Sequence, residues 1–175
     1  MLQGELFKPL TRDERQAQAM RAWIKAKGHA TIVAGTGFGK TRVAINIITK
    51  LKQQKPELHT IIVVPTTTLK EQWESELDER GLGFNTEVLV MMGASKKQYE
   101  CDLLTIDEAH RINSEQVSAI LTNIHYKFIL GLTATFERLD GRHEILAKYA
   151  PVCDTITTEE ALLNGWVSKY KDYVV

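Results

Sequence analysis

Short apolar runs alternate along the chain with stretches of helical period. "ATIVA" (30–34), "HTIIVVP" (59–65), "TEVLVMM" (86–92), "CDLLTID" (101–107) and "YKFILGLT" (126–133) are rich in Ile, Val and Leu. Each is too short for a typical helix and too continuously apolar for a half-exposed strand, so each predicts a buried strand. Between them lie amphipathic segments. The first, over 12–27, opens on "TRDE", where Thr11 caps the helix and Glu14 is placed to reach back. Ala17, Met20 and Ile24 then share a face, and Gly28 marks the end. Helical patterns recur at 40–54, 68–80, 114–124 and 142–149, with a shorter one at 158–164, while "GASKKQYE" (93–100) reads as a polar loop. Strands separated by helical crossovers predict one α/β domain, a mostly parallel sheet with helices on both faces. Such sheets bind ligands at the carboxyl ends of their strands.

Composition changes this picture little but excludes several classes. The chain has 175 residues, enough for one full core, and Lys+Arg equals Asp+Glu at 22 each. No overall basic field draws it to nucleic acid, so any such contact is local. Cys101 and Cys153 stand far apart and read as reduced thiols. The five histidines have no zinc-type spacing with them, and no Ser or Cys sits in a nucleophile elbow. The N-terminal "MLQGELFKPL" lacks an apolar leader core, and no run approaches membrane-spanning length. The expectation is a soluble cytoplasmic protein with no membrane partner.

Candidate chemistry begins at "AGTGFGKT" (34–41), where a strand runs through a glycine-rich turn into a helix. That context is the one a phosphate-binding loop requires. Glycines let successive backbone N–H groups converge on phosphate, and the helix N-terminus adds positive potential. Gly35, Thr36, Gly37, Phe38, Gly39, Lys40 and Thr41 are the expected nucleotide cradle. Lys40 would neutralise the β- and γ-phosphates of ATP, and the Thr41 hydroxyl would ligate Mg²⁺. Gly39 leaves room for the phosphate to approach. A partner acid follows in "LLTIDEAHR" (103–111), at the tip of an apolar strand. Asp107 is the expected second metal residue and Glu108 the group that polarises the attacking water.

"AGTGFGKT", "DEAH" (107–110) and "GLTAT" (131–135), in this order, resemble motifs I, II and III of the superfamily 2 helicases and translocases. The resemblance covers nearly the whole chain. "GLTATFERLDG" (131–141), followed by "PVCDTITTEEALLNGWV" (151–167), looks most like the XPB-type and phage-type branch. It implies a RecA-like lobe. It also implies that His110 couples the nucleotide site to Thr133 and Thr135, and that Gln16 reads the adenine. "TIIVVPTTTLKEQW" (60–73) looks like motif Ia, which implies that Pro65, Thr66 and Thr67 meet the nucleic-acid backbone. "VLVMMGAS" (88–95) is the candidate for motif Ib, with Gly93 as its contact. Trp73, on a helix after a strand, reads as core. Phe38 resembles the Leu of Snf2-type loops and is expected to pack away from the phosphates.

The resemblance implies an ATPase that moves on DNA more readily than on RNA. The family closes ATP between two such lobes, and "SKYKDYVV" (168–175) stands where a member begins crossing to the second. The expectation is a single first lobe that alone binds ATP but turns it over slowly, since arginine fingers supply on the order of 10³–10⁵ in rate. Two other readings remain at this stage. One is a translocating module of a restriction or nuclease complex; the other is a nucleotide-gated binding module without turnover.

Overall fold

The computed structural model describes residues 10–35, 37–134 and 142–166, with the side chains of Arg142 and His143 left aside. Helix α1 (Arg12–Lys25) leads into β1 (His29–Ala34) and α2 (Lys40–Gln54). Then come β2 (Thr60–Val64), α3 (Thr67–Glu79), β3 (Thr86–Val90) and a helical turn α4 (Met91–Ala94). The short β4 (Tyr99–Glu100) precedes β5 (Leu103–Ile106), a 3₁₀ turn over Ala109–Arg111, α5 (Ser114–Asn123) and the short β6 (Ile124–His125). The chain continues through β7 (Phe128–Thr133), α6 (Arg142–Tyr149), β8 (Val152–Ile156) and α7 (Thr158–Leu163).

The strands form a six-stranded sheet in the order β3-β2-β5-β7-β1-β8, every pairing parallel. Its four central strands, β2, β5, β7 and β1, bury both faces, as their continuous apolar runs require. Ile62, Val64, Leu103, Leu130, Leu132 and Ile32 face one core with α1, α2 and α3. Ile61, Val63, Leu104, Ile106 and Ile129 face the other with α5 and α6. This alternation is the period of two that a strand imposes. All strand tips that follow a β-to-loop turn lie at the same carboxyl end, so the loops after β1, β2, β5 and β7 gather there.

Thr11 caps α1 by accepting the Glu14 N–H at 3.1 Å. Its buried residues are Arg15, Gln16, Ala19 and Trp23, whereas Ile24 is 43% exposed. The expected stripe Ala17–Met20–Ile24 is therefore turned by one residue, about 100° of helix. The cause is polar burial. Arg15 forms a fork with Asp154 on β8 at 2.6 and 2.7 Å and reaches Glu160 at 3.2 Å, which rotates that face inward. The helix ends in a Schellman motif, Gly28 N–H to Trp23 C=O at 3.1 Å and Lys27 N–H to Ile24 C=O at 2.9 Å. Lys27, at φ 60°, holds the left-handed position, and Gly28 is needed because a Cβ there would lie 2.5 Å from the Phe128 ring.

Three further features differ from the sequence pattern. The run over 86–92 leaves the sheet at Val90, the last residue in register with β2, and Met91 and Ala94 fold over into the second core. The polar loop over 93–100 ends in β4, which pairs parallel with β6. The edge strand β8 has no apolar run to announce it. It is held by pairing with β1 and by the Arg15 fork.

Candidate active site

The loop after β1 owes its shape to its glycines and to one aromatic. Gly37 and Gly39 lie at φ 89° and 96°, a region that side chains disfavour. Gln16 donates its amide to the Phe38 carbonyl at 2.8 Å, and a Cβ on Gly39 would stand 2.5 Å from that same Nε2. Gly39 is thus required by its conformation and by Gln16 beneath it, as well as by any phosphate above. Gly35 approaches α7 so closely that a Cβ would come within 2.8 Å of the Thr158 hydroxyl. Phe38 is fully buried, its ring edge-on to Trp166 with centroids 5.8 Å apart. It packs into the lobe, as expected.

Helix α2 starts directly after Gly39. No side chain caps it, and no acidic residue stands in its first turn. Its leading N–H groups and the positive end of its dipole are therefore unused by side chains, which is the arrangement that binds an anion. Lys40, 9% exposed, donates from Nζ to the Ala34 carbonyl at 3.1 Å and lies 3.6 Å from Glu108 Oε1.

The loop after β5 separates two adjacent carboxylates by a backbone turn. Glu108 sits at φ 52°, ψ 43°, a left-handed conformation that is costly for a residue with a side chain and typical of functional sites. The turn sends Glu108 toward Lys40 and His110, the latter at 3.1 Å from Oε2. Asp107 takes another direction: Oδ1 accepts the Glu108 N–H and Oδ2 accepts the Trp73 indole N–H, both at 2.8 Å. Burial pushes the Asp107 carboxyl above its ordinary range; the Trp73 bond and Lys40 oppose that push, and Glu108 adds to it. His110 Nδ1 meets the Thr133 hydroxyl at 3.0 Å and accepts the Ala134 N–H at 3.4 Å. An accepting Nδ1 puts the ring proton on Nε2, which then donates to Glu108. Lys40, Glu108, His110 and Thr133 form one continuous polar chain across the tips of β1, β5 and β7.

Thr41 and Asp107 line a single cleft of about 520 Å³ beside α3. Among the described residues no group of three His, Cys, Asp or Glu could hold a metal by itself. One hydroxyl and one carboxylate beside the glycine-rich loop suit Mg²⁺, which keeps waters and takes its other ligands from a substrate's phosphates. Gln16, already bound to the loop, lines a smaller pocket with Arg12, Arg42 and Arg80. Pro65, Thr66 and Thr67 follow β2 and Gly93 follows β3, outside this cluster; Thr66 caps α3 by accepting the Leu69 N–H at 3.2 Å. Thr36 and Thr135 lie outside the described residues. Trp73 is a core residue, as the sequence predicts, but sequence reasoning missed the acceptor of its indole N–H and missed Trp166. The signal was available for the first, because a buried indole N–H needs an acceptor.

No helix among the described residues is long and apolar enough to cross a membrane. Residues 10–99 and 91–138 match the family described as type III restriction enzyme, res subunit. The DNA 3'-5' translocase XPB2 of Sulfurisphaera tokodaii is 32% identical over 185 aligned residues, covering 93% of this chain and 40% of the relative. The chain spans between 30% and 50% of the length of the first curated relatives it matches. In fold it resembles the UvsW helicase of bacteriophage T4 (TM-score 0.64, 16% identity, 86% of this chain and 60% of that one). It also resembles the SWI2/SNF2 ATPase core of Sulfolobus solfataricus in complex with dsDNA (TM-score 0.62, 17% identity, 78% and 35%). The chain thus belongs to the type III restriction enzyme res-subunit family, and its parallel-sheet fold is a RecA-like lobe of the superfamily 2 helicases.

Proposed function

We propose that the chain is the ATP-binding lobe of a nucleic-acid helicase or translocase that couples ATP hydrolysis to movement on DNA. The observation that carries this reading is the polar chain Lys40–Glu108–His110–Thr133 laid across three strand tips beside the phosphate-binding loop. In this reading the loop N–H groups and Lys40 bind the phosphates, and Gln16 holds the loop while its pocket takes the base. Thr41 and Asp107 would hold Mg²⁺, which would supply charge neutralisation to the phosphates. Glu108, kept in place by Lys40 and His110, orients and polarises the attacking water. His110 carries the state of that carboxylate to Thr133 on β7. DNA is preferred because the relative at 32% identity is named a DNA translocase and the similar SWI2/SNF2 core was solved with dsDNA. Pro65, Thr66, Thr67 and Gly93 are the proposed backbone contacts. They follow the carboxyl ends of β2 and its neighbour β3.

A second RecA-like lobe is the proposed partner that completes the site from the open side. The lobe alone then binds Mg·ATP and hydrolyses it slowly. Glu108→Gln tests the assignment: it retains ATP binding and loses the DNA-stimulated turnover of the two-lobe protein. Unchanged turnover in that variant would remove Glu108 from the role given to it here.

A further inference from the structure

We propose that Trp73 is a positioning residue for the metal-binding carboxylate of Asp107, an inference that rests on the reading of Asp107 given above. Packing alone does not account for the choice of side chain. Trp73 is 2% exposed within the first core, where a Phe would fill much of the same space. Its indole N–H instead donates to Asp107 Oδ2 at 2.8 Å, while the neighbouring backbone N–H of Glu108 donates to Oδ1 at 2.8 Å. With one donor on each oxygen, the carboxylate plane is fixed from two sides. The remaining lone pairs stay available to the cleft that Asp107, Trp73 and Thr41 line together. The other two indoles behave differently: Trp23 donates to the Ile129 carbonyl at 3.0 Å and Trp166 to the Leu10 carbonyl at 2.7 Å. Those bonds satisfy a buried N–H and nothing more. Only the Trp73 indole, of the three, is directed at an ionisable side chain.

The physical role follows from burial. Asp107 is 4% exposed, so a carboxylate free to rotate would have few alternative partners and no water shell to define its orientation. The Trp73 donor favours the ionised carboxylate and selects one rotamer, the task that outer partners perform around metal ligands. Helix α3 makes the donor rigid, since it is capped by Thr66 and anchored by Trp73 and Leu77 in the core.

The test compares Trp73→Phe, Asp107→Asn and the double variant by titrating a fluorescent ATP analogue at a series of Mg²⁺ concentrations and in EDTA. Trp73→Phe should raise the half-saturating Mg²⁺ by about 10-fold or more. Affinity measured in EDTA should stay within about twofold, a split that loss of packing alone would not produce. On the Asp107→Asn background the same substitution should have no further effect on the Mg²⁺ dependence. Wild-type Mg²⁺ dependence in Trp73→Phe, with Asp107→Asn altered, overturns the proposal while leaving the site intact. Wild-type dependence in Asp107→Asn overturns the reading of the site, and the Trp73 assignment falls with it. If Trp73→Phe does not fold, the indole ¹H–¹⁵N resonances decide, with Trp23→Phe and Trp166→Phe identifying the other two. The Trp73 signal should move when Mg²⁺ is added to the ATP-bound protein and stay still in Asp107→Asn; a signal unmoved in the wild type overturns the proposal.

Discussion

Truncating Phe38 to Ala should unfold the lobe more easily and loosen its phosphate-binding loop together. The ring is fully buried in the core shared by α1, α2 and the sheet, although it stands in the middle of a ligand-binding loop. Burying a side chain of this size is worth about 1.5–3 kcal/mol in transfer from water. The cavity left behind brings a Phe→Ala change to about 3–5 kcal/mol. Within that total, the edge-on contact with Trp166 at 5.8 Å accounts for a minor part. Aromatic pairs contribute only about 0.5–1.5 kcal/mol beyond area. For a chain of this length each kcal/mol lowers Tm by roughly 2–4 °C, so a fall of roughly 6–20 °C is expected. Urea unfolding followed by circular dichroism should show a lower midpoint with an unchanged slope. Phe38→Leu keeps an apolar anchor and should cost less than about 1.5 kcal/mol. Mg·ATP affinity should fall in Phe38→Ala, because the backbone that Gln16 holds is the Phe38 carbonyl. A stability loss below about 1 kcal/mol would show that the ring is no core residue. Lost nucleotide affinity at unchanged stability would place it in the phosphate pocket instead.

Other consequences are independent of the nucleotide. Thr105, at the centre of β5, has a buried hydroxyl with no hydrogen-bond partner, so Thr105→Val should raise stability by about 1 kcal/mol in the same urea assay. Asp102 accepts the His59 N–H at 2.9 Å and lies within 3.3 Å of Lys55 and Lys127, contacts that together outweigh its burial and hold its carboxyl below the ordinary range. A depressed pKa means stability present above the unfolded-state value and lost as pH falls through the folded one. Asp102→Asn should therefore cost about 1–2 kcal/mol at neutral pH, and the gap to wild type should close below about pH 4 in unfolding experiments across the acid range. Burial pushes the Cys101 thiol up to about 12 and that of Cys153 up to about 11. Both should react slowly with iodoacetamide at pH 8 and rapidly once urea unfolds the chain, as mass spectrometry would register.

Most of the fold was legible because its strands are buried on both faces. Continuous runs such as "TIIVV" and "LLTI" need no partner to be recognised, and glycine-rich "GTGFG" after a strand has few other uses. What escaped the pattern was set by pairwise contacts. Helix α1 turns Arg15 and Gln16 inward because Asp154 and the Phe38 carbonyl await them, and hydrophobic periodicity carries no sign of either. Strand β8, "VCDTI", carries Asp154 and Thr155 in place of a continuous apolar run and pairs along the edge of β1. Glu108 and Asp107 are neighbours in sequence but act on different partners, a consequence of a left-handed turn at a non-glycine residue. Trp73 looked like an ordinary core aromatic, and its role depends on where a single N–H is aimed.

The central claim is that this lobe binds Mg·ATP through the loop that ends in Lys40. Isothermal titration of Mg·ATP into the wild-type chain and Lys40→Ala addresses it most directly. The account predicts one site per chain in the wild type, with affinity reduced at least about tenfold in the variant through loss of the charge-assisted phosphate contact. Absence of binding in the wild type, or equal affinity in both proteins, would contradict it.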